Sequence, residues 1–262
     1  MQYKKFKLKN GIRVISVPMK GNPTCTVLTL VEAGSKYETK ETSGLSHFLE
    51  HMYFKGTEKR KNAKDISHEL DSLGSISNAF TSSECTGYYA KGGNDHVEKF
   101  VDIISDIYKN STLPEEEITK EKGVIIEEIN MYEDTPQSIA PKLLYSTLYG
   151  DQPAGWDIIG TKETVMSFSR KDFIKYRDQH YVPEATVVVI AGDVKSEKAL
   201  SLANKYFGDI KKSKNIRLEF AAAFNQKEKV TRLISLLVSD LLIYTIREIQ
   251  LFTYWQPSWV EE

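Results

Sequence analysis

Cysteine is scarce: Cys25 and Cys85 are the only two in 262 residues. Two thiols far apart in sequence build neither a disulfide framework nor a paired C-x-x-C redox or zinc motif, and both are expected to be buried thiols. Glycine and proline are also few, at 15 and 8, which excludes a collagen-like or low-complexity chain. Charge of one sign is not in excess. Thirty-five basic against 36 acidic side chains give a net charge of −1, so no overall field draws nucleic acid or anionic membrane, and no nucleic-acid partner is expected. Long hydrophobic runs are missing as well. Residues 1–9 carry basic side chains with no uninterrupted apolar run behind them, unlike a signal peptide. The most apolar stretch, 233–255, is broken by Asp240, Arg247 and Glu248, so no membrane span is expected. The reading is a soluble, cytoplasmic protein.

What is present is patterned. Asn10-Gly11 between residues 5–8 and 13–17 is a strong hairpin signal, and 24–32 continues with β-branched residues. Apolar residues at 45, 48, 49 and 52 then take helical spacing, with Gly56 as a stop. Ile66, Leu70 and Leu73 repeat the pattern up to Gly74. Residues 75–81 and 84–91 read as two strands around a polar turn, and 96–109 as a helix. Pro114 and three glutamates open a further helix to about Met131, where the helix dipole favours acids. Helices near 138–149 and 170–180, a buried strand at 184–191 and a helix at 197–207 complete an α+β pattern. Beyond about 216 the character changes. Residues 229–255 would form a helix apolar around most of its circumference, either packed on its own domain, meant for another chain, or the end of a truncated or out-of-frame gene. The expected organisation is a domain over 1–216 and a divergent apolar segment over 217–262.

One constellation carries chemistry. His47-Phe48-Leu49-Glu50-His51 stacks two imidazoles at i and i+4 on one helical face, with a carboxylate beside them at i+3. Neutral imidazoles at that spacing can share one Zn²⁺, and the carboxylate can take a proton from water that the metal has acidified. A catalytic zinc site needs a third protein ligand. The helix over 114–131 offers Glu121, Glu127 and Glu128. Glu121 and Glu128 lie two turns apart on one face, whereas Glu127 is rotated by about 100° from Glu128. Glu128 is therefore the expected ligand. Glu121 is placed to accept the remaining ring N–H of a ligating histidine and fix its tautomer. His68, His96 and His180 are expected to be solvated histidines with no part in the site.

The H-x-x-E-H order, reversed from H-E-x-x-H, matches the inverted zincins. Its surroundings, residues 44–57, together with Ser77-Asn78-Ala79-Phe80-Thr81-Ser82, residues 121–129 and Gly160-Thr161, resemble the pitrilysin and mitochondrial processing peptidase family of zinc metallopeptidases over residues 1 to about 212. The resemblance implies a mostly antiparallel sheet with helices packed on one face. It also implies one Zn²⁺ per chain, with the second acid of a pair seven apart, here Glu128, as remote ligand. It implies a peptide substrate that adds as an extended strand along Asn78, Ala79 and Phe80. Family members pair such a domain with a second, similarly folded half in the same or another chain, and no such half is recognisable here. The expectation is thus a zinc metalloendopeptidase acting on extended peptides. The alternative is a metal-binding interaction subunit or inactive half that needs a homologous second half, a homo-oligomer or a partner chain.

Overall fold

A computed structural model describes residues 2–211 of the chain; the expected segment 217–262 lies outside the described residues. Within them, residues 2–127 with 157–211 form one compact unit and 128–156 another.

The first unit is built on a six-stranded sheet: β1 (Lys4–Lys7), β2 (Arg13–Pro18), β3 (Thr24–Val31), β4 (Ile76–Thr81), β5 (Thr86–Gly93) and β6 (Thr186–Gly192), in spatial order β1-β2-β6-β3-β5-β4. Every neighbouring pair is antiparallel except β2 and β6, which run parallel. The long connection from β2 to β6 spans most of the domain, as a parallel pair requires. Asn10-Gly11 does form the β1–β2 turn, with Gly11 at φ 111°. Asn10 does more than turn the chain: its buried amide donates to the carbonyls of Phe207 and Ile210 at 2.8 and 3.2 Å, tying the hairpin to the end of the helix Ser196–Phe207.

Alternation along the strands gives the sheet one dry face. Val14, Val188, Thr29 and Tyr88 lie in one row across β2, β6, β3 and β5 and are all fully buried. The opposite face carries half-buried residues such as Ile15, Leu28 and Tyr89. Helices α1 (Leu45–Tyr53), α2 (Ala63–Ser72), α3 (Val97–Asn110) and the start of α4 (Glu115–Glu133) follow the strands in blocks. The second unit holds the end of α4 and α5 (Pro136–Tyr149), and the first resumes with α6 (Lys162–Ser167), α7 (Arg170–His180) and α8 (Ser196–Phe207). Tyr53 of α1 and Tyr108 of α3 both meet the dry-face ring of Tyr88, with centroids 5.1 and 6.3 Å away. Both helices therefore pack on the same side, and the α+β architecture is the one expected. The short helix α6 has no counterpart in the hydrophobic pattern; its N-terminus is set by Thr161, whose hydroxyl accepts from the Thr164 amide.

Two expectations are corrected. His180 is not solvated: it is 3% exposed, its ring packed 4.2 Å from Tyr176 and 5.6 Å from Tyr37, and burial pushes its pKa down to about 4. Its place at a helix end suggested a cation; the aromatic packing makes it neutral instead. Cys85 is half-buried on the β4–β5 turn, whereas Cys25 is buried as expected. His68 is exposed and His96 half-exposed. Among the described residues no helix is long and apolar enough to cross a membrane.

Candidate metal centre

Helix α1 carries the H-x-x-E-H segment because its two sides are chemically distinct. Leu45, Phe48, Leu49, Met52 and Tyr53 are fully buried, with Phe48 edge-on to Phe173 at 4.8 Å, while His47, Glu50 and His51 stay half-buried. The ends are fixed separately. Gly44, the residue before α1, has φ 92° and no capping side chain of its own. Its amide and that of Ser46 instead donate to the two oxygens of Glu38, at 2.8 and 2.7 Å. This remote carboxylate, 4% exposed, satisfies two of the amides that a helix start leaves over. Desolvation raises the Glu38 pKa to about 7, against the pull of hydrogen bonds from Ser46 and Gly44. Gly44 also lies against Gly160 so closely that a Cβ on either would sit 2.4 Å from a backbone oxygen of the other strand of chain. At the far end, Arg60, 3% exposed, bonds Glu69, Asp102 and Asp106, and Thr57 bonds Asp106 at 2.7 Å, pinning the loop after α1 to α2 and α3.

On the polar side the two histidine rings lie 4.7 Å apart. Burial, with His51 as neighbour, pushes the His47 pKa down to about 3, so the ring is neutral, the form that ligates. His51 Nδ1 is 2.9 Å from Glu121 Oε1, and Glu121 Oε2 meets Lys55 Nζ at 2.5 Å. Burial alone would raise Glu121, yet hydrogen bonds from His51 and Lys55 hold it below its ordinary value. An ionised carboxylate only accepts, so His51 donates through Nδ1 and, when neutral, carries its lone pair on Nε2. Glu128 follows Glu121 by seven residues on α4, half-buried, and accepts from the Tyr132 hydroxyl at 2.9 Å. Glu127 is exposed. His47, His51 and Glu128 each offer one ligand atom, all within 4.8 Å of one another. Two imidazoles and a carboxylate are a donor set suited to Zn²⁺.

Sequence models place the chain. The insulinase model of peptidase family M16 matches residues 13–162. This chain belongs to peptidase family M16. The model of the M16 inactive domain matches residues 167–236. An uncharacterized zinc protease, YmxG, of Bacillus subtilis is 39% identical over 208 residues, 78% of this chain and 50% of that protein. The beta subunit of the human mitochondrial-processing peptidase is 42% identical over 202 residues, covering 77% of this chain and 41% of the subunit. The chain thus spans half or less of the length of these M16 relatives. Among solved structures, a protease from Helicobacter pylori superposes with TM-score 0.79 at 28% identity, over 85% of this chain and 54% of that one. An M16 inactive domain from Pseudomonas fluorescens shares the fold at TM-score 0.78 and 16% identity, over 85% and 54%.

The remaining candidate residues, Asn78, Ala79 and Phe80, lie on β4. Among the described residues it is an edge strand, paired only with β5 in the register Asn78↔Tyr89, Ala79↔Tyr88, Phe80↔Gly87. Phe80 is 41% exposed and its ring covers Gly87, where any Cβ would meet it at 2.5 Å. The outward amide of Ala79 is held by the Asn78 side chain, Oδ1 accepting at 2.9 Å. Glu38 carried no role in the sequence reading, and Thr81 entered it only as part of the edge segment Ser77-Asn78-Ala79-Phe80-Thr81. Glu38 had no helical spacing to reveal it, since its contact with α1 is made across a loop. Thr81 donates to Glu50 Oε2 at 2.5 Å; it was visible only as part of a strand.

Proposed function

We propose that this chain is the zinc-binding half of a metalloendopeptidase, with His47, His51 and Glu128 as ligands, Glu50 as general base and Glu121 as the acceptor that orients His51. The observation that carries this reading is the convergence of two imidazoles and one carboxylate with the ring of His51 already oriented by Glu121. Bound there, Zn²⁺ supplies Lewis acidity, lowering the pKa of water and polarising a peptide carbonyl. Glu50 takes the proton of the attacking water and returns it to the leaving amine. Glu121 keeps the His51 lone pair on Nε2. An extended peptide pairs along the outer edge of β4, its carbonyl replacing the Asn78 side chain on the Ala79 amide, with Phe80 beside its side chains. Endopeptidase activity follows from this mode: a strand can be added in the middle of a peptide as readily as at its end.

The test is hydrolysis of a quenched fluorescent peptide library, with metal content measured on the same sample. Glu50→Gln is expected to retain stoichiometric zinc and to lose hydrolysis by about a hundredfold or more; hydrolysis that survives in this variant sinks the mechanism. Because the chain spans half or less of the length of its M16 relatives, a second reading stands beside the first: a half that binds zinc and turns over only with a homologous second half, in a partner chain or an oligomer. Stoichiometric zinc without cleavage by the chain alone, and cleavage on adding such a half, supports it.

A further inference from the structure

The general base is held by the strand proposed to receive substrate. Thr81 is the last residue of β4, and its hydroxyl donates to Glu50 Oε2 at 2.5 Å. The direction is fixed by chemistry, since a hydroxyl has one proton and an ionised carboxylate has none to give. Behind it, the buried Thr86 directs its own proton to the Ala33 carbonyl at 2.9 Å, with its oxygen 3.4 Å from Thr81 Oγ1. Thr86 therefore does not compete as a donor to Glu50; it backs the Thr81 hydroxyl from the neighbouring strand.

The main chain of Thr81 faces the other way. The Ser82 amide donates across the turn to the Cys85 carbonyl at 2.8 Å. In an antiparallel pair the inward and outward backbone groups alternate, so the Phe80 and Asn78 amides point to β5, and those of Thr81 and Ala79 point to the open edge. The Asn78 side chain found on the Ala79 amide confirms that alternation. One residue thus presents its backbone to an incoming strand and its side chain to the base.

We propose that Thr81 is a positioning residue that sets the rotation of the Glu50 carboxylate, and that pairing of a peptide along β4 holds Thr81, and through it the base, in line for proton transfer. The proposal rests on the metallopeptidase reading above. A charge-assisted hydrogen bond of this length restricts the last torsion of Glu50, and a misaimed base loses rate without losing binding.

The test compares Thr81→Val, which keeps the shape and removes the hydroxyl, with Thr81→Ser, which keeps the hydroxyl. Thr81→Ala takes the place of the valine variant if that does not fold. Zinc content is expected to be unchanged throughout. The kcat of Thr81→Val is expected to fall at least about tenfold, with KM within about twofold, and Thr81→Ser to restore it. Independently of turnover, the zinc-loaded chain labelled with ¹³C at the glutamate carboxyls gives one resonance that disappears in Glu50→Gln. That resonance is expected to move in Thr81→Val and to stay in place in Thr81→Ser. An unmoved resonance overturns the contact, and a moved resonance with unchanged kcat overturns the coupling. Should the zinc-loaded wild type hydrolyse nothing even with a homologous second half added, the peptidase reading fails, while the resonance still decides whether Thr81 holds Glu50.

Discussion

Glu38 shows what a single buried carboxylate can do at the start of the helix that carries the H-x-x-E-H segment. It accepts two amides of α1, yet its pKa is raised to about 7 from an ordinary 4.5, because burial outweighs those bonds. The native state therefore binds the Glu38 proton more tightly than the unfolded chain. The resulting stability is fully present below about pH 4.5 and is lost as pH rises through about 7. His180, held neutral with a pKa near 4, has the opposite slope and loses stability on acidification. Comparing wild type with Glu38→Gln isolates the first effect from the second. The stability difference between them, from urea unfolding, is expected to shift against the wild type by roughly 1–3 kcal/mol between pH 5 and pH 8. A difference that is flat with pH would show that Glu38 does not titrate in this window.

At the scale of elements, the helices and strands with strong period were readable from residues alone. Leu45, Phe48, Leu49 and Met52 announced α1, and the Asn10-Gly11 turn announced the first hairpin. The seven-residue spacing of Glu121 and Glu128 announced which face of α4 matters. What could not be read were relations made across loops: the parallel β2–β6 pair, the Glu38 contact, the aromatic packing that neutralises His180, and α6. None of these leaves a local period, because each depends on which distant segment is brought alongside. The Gly44–Gly160 contact is of the same kind. Gly160 has φ 81° and Gly74 has φ 60°, so an alanine is strained at both. Only at Gly160 would a Cβ also strike backbone, 2.4 Å from the Ser43 oxygen; at Gly74 nothing lies within 4 Å. Gly74→Ala is expected to cost about 1 kcal/mol and Gly160→Ala about 2–4 kcal/mol. Thermal melts of the two variants side by side check this, and equal costs would mean that the start of α1 yields without penalty.

For the molecule as a whole, the question is whether the site is a resident metal centre or a chance meeting of polar side chains on an M16 fold. A near-neutral chain has no field that concentrates cations generally, so zinc that binds must do so through specific ligands. Zinc bound to the folded state alone stabilises it by mass action, about 4 kcal/mol at a thousandfold excess over Kd. For a chain of this size that raises Tm on the order of 10 °C. The gain separates the roles assigned to the acids. Glu50 is proposed to move protons and not to ligate, so Glu50→Gln should keep the full zinc-dependent rise. Glu128→Gln removes a ligand and should abolish most of it. Glu121→Gln still offers an oxygen to His51 but withdraws the charge that holds the ring, and should fall between the two. A chelator should return the wild type and Glu50→Gln to a common, lower Tm. If Glu128→Gln melts with the same zinc-dependent gain as wild type, Glu128 is not the third ligand and the donor set must be sought elsewhere on α4.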